Sequence, residues 1–460
     1  MTYLRNILQP IKQRLGDLWW YTLVLFIVMR LGDVVNAFIG IWLVPQYVPQ
    51  SELGALLPLM SIGGLLGFPL IALTTPFMKF LNKYMALGEF GKVKQLLRDT
   101  FIFTGIIFVA VFFASRFLLP LVFDRMRVED GSLSLLIVVS GVLAALTPVF
   151  TTALQSLKKF ILLSASIMLS VFIRLGTMLV CLPIRGLSGY FVGQIVPSLF
   201  IVGFTLLALR RHFSRKITMT PYWSDDWKPI LRYAKWPALL NFAGMLLITV
   251  ESFVIRRCLP DVESAGFYMI SRFAEITLYF GLACATILFP LVSERHETGQ
   301  LGQQKLLSQS VLFTLIAGLG FTALIVPCAY LLFALKADWN IYTNFTPHLI
   351  ALSLAYALRG AVHCFVTYQI ARNHFRFVPF FLLMYCSEVV LLYCLTGYTF
   401  FAPWLPDAWL SALTTFNPNR LSVVLGIMLL YAFFILFYTL VSIKKTLAKD
   451  GVTVDNDVVI

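Results

Sequence analysis

The feature that most limits what this chain can fold into is a recurring one. Runs of about 20 or more mostly apolar residues follow one another along its whole length, each long enough to cross a hydrocarbon core of about 30 Å as a helix. A spanning β-strand needs only about 10 residues and alternates in polarity, which these runs do not. Composition agrees: of 460 residues 59% are hydrophobic and 13% charged, with 41 Phe and a mean hydropathy of +0.85, outside the range of a soluble globular domain. The expectation is an all-α integral membrane protein of about 12 transmembrane helices. They are placed at 19–43, 53–78, 100–122, 133–154, 161–183, 188–209, 230–255, 264–290, 307–334, 347–370, 377–400 and 421–443.

A formal net charge of +14 raises the question of nucleic acid, and the placement of the charges answers it. With these spans, the loops on one side, the N-terminal segment and the tail carry 22 Lys and Arg, against seven on the other side. The positive-inside rule makes the basic side cytoplasmic, so both termini are expected there, and no nucleic-acid partner is needed. Residues 1–18 place Leu4, Ile7, Leu8, Ile11 and Leu15 on one helical face, as expected of an amphipathic segment lying on membrane lipid rather than a cleaved signal. The seven Cys show no CxxC spacing and read as small buried hydrophobes; no metal site or cofactor is expected.

The chain also repeats itself. "GEFGKVKQLL" from Gly88 has a counterpart in "GQLGQQKLL" from Gly299, Pro76 matches Pro290, and Lys158 matches Arg372, at offsets of about 211 to 214 residues. The reading is two six-helix halves, 19–209 and 230–443, joined by a basic linker at 210–229 and followed by a tail at 444–460. Six spans return the chain to its starting side, so the halves point the same way and are related by a pseudo-twofold axis along the membrane normal. Such halves enclose a central cleft. The last span departs from the offset, because "FAPWLPDAWLSALTTFNPNR" adds an outer loop of about 20 residues. "SIGGLLG" at 61–67 reads as a site of close helix packing.

Short loops and the lack of GxxxxGK[ST], HExxH or GxSxG patterns favour transport over catalysis, so no catalytic residue is assigned. Nine ionisable residues within the spans stand out: Arg30, Asp33, Arg174, Glu251, Arg272, Glu275, Arg359, His363 and Glu388. Burying a charge there costs several kcal/mol, so each needs a partner, the bundle interior or a wet cavity. Arg30 with Asp33, and Arg272 with Glu275, are three apart and either neutralise each other on one helix face or take part in binding. Arg174 and Glu388 are repeat mates that either bridge the halves or face the cleft. Arg359 and His363, four apart, have no acid beside them on their helix; Arg359 is read against an anionic ligand or a cavity acid, His363 as a core residue or a ligand. Glu251 is either a proton or cation site or the partner of Arg256 or Arg257.

The "SELGALLPLMSI" start of the second span and the "ESAGFYMISRFAEI" start of the eighth, within twelve spans in two parallel halves, resemble the polysaccharide biosynthesis flippases. These are the O-antigen flippase-like branch of the multidrug/oligosaccharidyl-lipid/polysaccharide (MOP) exporter superfamily. The family pattern of an acid late in the seventh span, a short outer turn, then Gly and an aromatic falls here on Glu251, "RRCLPDVES", Gly266, and Phe267 with Tyr268. The family more often has Asp where Glu251 stands. The resemblance implies a MOP/MATE-like fold and a substrate: a saccharide on a polyprenyl diphosphate, turned across the cytoplasmic membrane by alternating access.

With that substrate, Arg30, Arg174, Arg272, Arg359 and His363 become candidates for the anionic head group, because guanidinium forks pair with phosphate oxygens. Asp33, Glu251, Glu275 and Glu388 become candidates for ion pairing or for coupling to H⁺ or Na⁺. Glycan polymerases or glycosyltransferases are the implied protein partners. The competing readings are a cation-coupled multidrug exporter of the same superfamily and a membrane-embedded polysaccharide polymerase or transferase.

Overall fold

The computed structural model describes residue 28 and residues 30–126, 133–157, 159–214, 227–297, 303–372, 374–397 and 420–449. The amphipathic segment 1–18, most of the basic linker, the added outer loop and the end of the tail lie outside the described residues. Regular structure among the described residues is helical throughout. This is the arrangement that satisfies every backbone N–H and C=O within one segment when water is absent.

The helices follow the expected spans. Residues 30–47 form α1, with a π-helical stretch at Ile39–Leu43 ahead of Pro45. Then come α2 (Gln50–Ala86), α3 (Phe90–Met126) and α4 (Leu133–Ser156). The continuous stretch Phe160–Ser214 is broken at Gly186, whose φ of 51° is open to glycine and strained for other residues. It divides into α5 (160–185) and α6 (187–214). The second part of the chain gives α7 (Trp227–Cys258), α8 (Asp261–Glu297), α9 (Gln303–Leu335), a 3₁₀ turn (Ala337–Phe345), α10 (Thr346–Ala371), α11 (Val378–Gly397) and α12 (Arg420–Lys449). Eight helical stretches are long and apolar enough to cross a membrane, one of them α5 and α6 taken together. α8 is not among them, in keeping with the Arg272 and Glu275 inside its apolar run. The bundle therefore has the predicted class, an all-α membrane fold. Large apolar side chains such as Phe117 and Leu335, 79% and 84% exposed, are surface for lipid.

By compactness the chain falls into two units: Met1–Glu52 with Pro58–Met245, and Leu53–Leu57 with Leu246–Ile460. In the first, α4 packs on α3 and on the α5–α6 stretch. Phe80, Leu81, Tyr84, Leu97, Val149 and Leu209 close a core near one end of these helices. "SIGGLLG" lies where α2 meets α4: a Cβ on Gly67 would come within 3.0 Å of Ala145 and the Gly141 carbonyl, so the small residues set the approach. In the second unit α10 is central, against α8, α9 and α12, and α11 packs on α12. The closest approach there is again glycine on glycine, Gly281 of α8 against Gly360 of α10. The same helices of each repeat thus cross on glycine, α2 with α4 and α8 with α10.

The repeated motif at Gly88 is a helix stop. Gly88 has a φ of 71°, its N–H donates to Met85 O at 3.2 Å, and the Glu89 N–H donates to Tyr84 O at 2.9 Å. That is a Schellman closure of α2; its counterpart at Gly299 lies outside the described residues. The turns after α4 and α10 also match. Lys159 N–H donates to Leu154 O at 3.0 Å, and His374 N–H donates to Gln369 O at 2.9 Å.

Candidate functional site

The embedded charges sort into two clusters, one in each unit. In the first unit Arg30 and Asp33 form the expected pair along α1, Nη1 to Oδ2 at 3.0 Å, with both side chains about a third exposed. Arg174, midway along α5, donates from Nη1 to Asn36 Oδ1 on α1 at 2.7 Å. Its Nε is buried with no hydrogen-bond partner, and no described carboxylate pairs with it. α1 lies close enough here for a Cβ on Gly32 to meet Val171 at 3.2 Å. Asn36 escaped the sequence reading because it is uncharged, although it stands three residues beyond Asp33 on the same helix face.

In the second unit one guanidinium joins two acids. Arg359 of α10 donates from Nη1 to Glu251 Oε2 on α7 at 3.1 Å, from Nη2 to Glu251 Oε1, and from Nη2 to Glu388 Oε1 on α11 at 3.0 Å. Glu251 and Glu388 are 4% and 1% exposed and Arg359 20%, so the acids are the enclosed members. Of the two alternatives for Arg359, the described partners are acids. Glu251 pairs with Arg359 rather than with Arg256 or Arg257. Arg256 turns instead to Asp261 at 2.7 Å and Ser264 at 3.3 Å, fixing the turn between α7 and α8. Residues five apart on a helix point about 140° from each other, so Glu251 and Arg256 do not share a face.

The repeat mates likewise find partners inside their own units, Arg174 with Asn36 and Glu388 with Arg359. Arg272 and Glu275 pair at 2.8 Å along α8, with the guanidinium 5.3 Å from the Tyr268 ring centroid. Tyr356, one turn before Arg359, lies within electrostatic reach of Glu275, Glu251, Arg359 and Arg272, which links the two groups. Tyr385 stands in the same relation to Arg359, Glu388 and Glu251. Sequence reading missed both tyrosines, since a Tyr in an apolar run carries no distinguishing pattern. His363 is exposed, one turn from Arg359, and is not brought into the cluster.

Counted by unit, the charges among the nine residues singled out in the sequence are unequal. The first holds Arg30 and Arg174 against Asp33, a formal surplus of one positive charge. The second holds Arg272 and Arg359 against Glu251, Glu275 and Glu388, a surplus of one negative charge. A balanced total conceals a positive unit and a negative one. Among the described residues no group of three or more His, Cys, Asp or Glu is arranged to hold a metal ion. The described cysteines, Cys181, Cys284, Cys328, Cys364 and Cys386, are free thiols.

A multi-helix membrane fold of two units, each with its own cluster of embedded charges, is the class that fold and site define. Solved structures specify the fold further. The chain is similar to an inward-facing multidrug resistance MATE family transporter of the MOP superfamily, with a TM-score of 0.65 at 15% identity over 92% of this chain and 96% of that one. An outward-facing MATE family transporter of the MOP superfamily gives 0.63 at 14% identity over 96% and 99%. A MOP superfamily transporter from Pyrococcus furiosus gives 0.61 at 14% identity over 94% and 98%. No protein-family model matches the chain, and no curated protein matches it. The fold is therefore the MOP/MATE fold, as the sequence predicts.

Proposed function

We propose that the protein is a transporter that flips a polyprenyl-diphosphate-linked oligosaccharide across the bacterial cytoplasmic membrane by alternating access. The observation that carries this reading is Arg174, a cation in the middle of α5 whose described partner is the neutral Asn36 and not a carboxylate. A half-buried arginine within a span, its Nε enclosed without a hydrogen-bond partner and its described partner neutral, is suited to an anionic ligand, and its fork matches a diphosphate. Similar folds include inward- and outward-facing conformations, which supports alternating access. The physical need is plain: each sugar hydroxyl moved unpaired into hydrocarbon costs about 4–8 kcal/mol, so the head group requires a polar route while its lipid tail stays in the bilayer. Both termini are placed in the cytoplasm, and the enzymes that build and polymerise the glycan are the proposed partners. Coupling to H⁺ or Na⁺ is assigned to the negative second unit.

The second reading, a cation-coupled multidrug exporter, draws on the MATE neighbours described as multidrug resistance transporters and on the surplus acid of the second unit. Against it stands the surplus cation of the first. The Pyrococcus furiosus neighbour is itself described as having a binding pocket of reverse polarity that suggests a different function, a precedent within the fold.

Arg174→Ala separates the two readings. Glycan export in cells is expected to fall at least about 10-fold, the loss of about 1.4 kcal/mol or more from one charge-assisted contact, with the protein at its normal level in the membrane. Drug resistance conferred by the protein and unaffected by Arg174→Ala, with no effect on glycan export, would favour the exporter. Arg30→Ala tests the neighbouring pair: a loss of export larger than any loss of membrane expression is expected. Lost expression with normal transport per molecule would make Arg30 and Asp33 purely structural.

A further inference from the structure

The acids of the second unit allow a narrower statement, which rests on the transport reading but is tested without it. We propose that Arg359 is a built-in cation that occupies the place between Glu251 and Glu388 where a coupling metal ion would otherwise sit, and so makes this site refuse Na⁺. The same nitrogen, Nη2, touches Oε1 of both acids, while Nη1 takes the second oxygen of Glu251. Three of the four carboxylate oxygens therefore accept from one guanidinium. The acids come from α7 and α11 and are almost fully enclosed, so they converge on a single point, and that point is filled by a nitrogen.

Two enclosed carboxylates with tyrosines nearby are hard oxygen donors of the kind alkali and alkaline-earth ions take. A free ion reaching them has to displace a group that is always charged and that is tethered to the same helix bundle. No third acid, His or Cys joins them among the described residues, so nothing offsets that competition. Among the described residues, Tyr356 on α10 and Tyr385 on α11 lie within electrostatic reach of the cluster, and Tyr356 also of Arg272 and Glu275 on α8.

The test uses the purified full chain and NaCl against choline chloride at matched ionic strength, read as the midpoint of thermal unfolding, Tm. The unmodified protein is expected to melt at the same temperature in both salts. Arg359→Gln is expected to melt lower and to gain a Na⁺-dependent, saturable rise in Tm, because the vacated acids now take the ion. Arg359→Lys, which keeps a tethered charge, is expected to stay indifferent to Na⁺, and adding Glu388→Gln to Arg359→Gln is expected to abolish the gain. Recovery of folded Arg359→Gln only when Na⁺ is present would support the proposal. Loss in both salts would count against it, since Na⁺ then fails to replace the guanidinium. A Na⁺-dependent rise in the unmodified protein that disappears in Glu251→Gln would overturn it outright. No lipid-linked substrate enters these measurements, so failure of the transport reading and failure of this proposal are separate results.

Discussion

Arg359→Ala is expected to destabilise the protein by about 3–5 kcal/mol, seen as a lowered unfolding midpoint and loss of monodisperse protein in detergent. The magnitude comes from what is left behind. Removing the guanidinium strands Glu251 and Glu388, 4% and 1% exposed, each of which has lost its charge partner. Neutralising an acid is a different experiment. Glu388→Gln leaves the two-pronged bond between Arg359 and Glu251 intact and removes the surplus negative charge, so its effect is expected to be much smaller. Glu251→Gln strips Arg359 of its two-bond partner and is expected to fall between them. An order in which Glu388→Gln is the most damaging would show that the cluster is organised around α11, contrary to the bonding described.

The second large effect is steric, and it is asymmetric within each glycine pair. A Cβ on Gly281 would lie within 3.0 Å of the Gly360 backbone, whereas a Cβ on Gly360 would find its nearest neighbours, Gly281 and Thr314, at 3.4 Å. In the first unit a Cβ on Gly141 would enter the Gly63 backbone, while one on Gly63 would find its nearest neighbours, Ile137 O and Gly141 Cα, at 3.4 and 3.5 Å. Backbone does not move aside as a flexible side chain does, so the helices must separate. Gly281→Ala and Gly141→Ala are therefore expected to lose stability at the upper end of about 1–3 kcal/mol. Gly360→Ala and Gly63→Ala are expected to retain most of it, read by thermal unfolding of the four variants side by side. Equal damage from both members of a pair would mean that the crossings do not depend on the approach described.

Particular residues show why the sequence disclosed the fold more fully than the site. Spans were legible because bilayer thickness imposes a length and an apolar character that need no tertiary knowledge. The break between α5 and α6 was legible as a polar interruption, "PIRGLSG", and Gly186 supplies its positive φ. Pairs within one helix were legible too: Arg30 with Asp33, and Arg272 with Glu275, because a spacing of three fixes a shared face. The partners of Arg359 lie 108 and 29 residues away on other helices, and no local spacing encodes them. The repeat offset pointed from Arg174 to Glu388, yet Glu388 bonds Arg359 on the preceding helix and Arg174 bonds Asn36. Duplication relates positions, and electrostatics then pairs each charge with the partner that packing brings nearest.

Among the singled-out charges this leaves the first unit with an arginine that has no described acid and the second with two acids closed on their own arginine, and the proposed function rests on the first of these. The most direct test is reconstitution of the purified protein in liposomes with a fluorescent polyprenyl-diphosphate oligosaccharide, following the fraction of saccharide exposed at the opposite leaflet. Protein-dependent transfer that Arg174→Ala abolishes, while the variant remains folded, is the predicted result. No transfer of the lipid-linked saccharide by folded protein, together with transport of an organic cation that Arg174→Ala leaves unchanged, would contradict it.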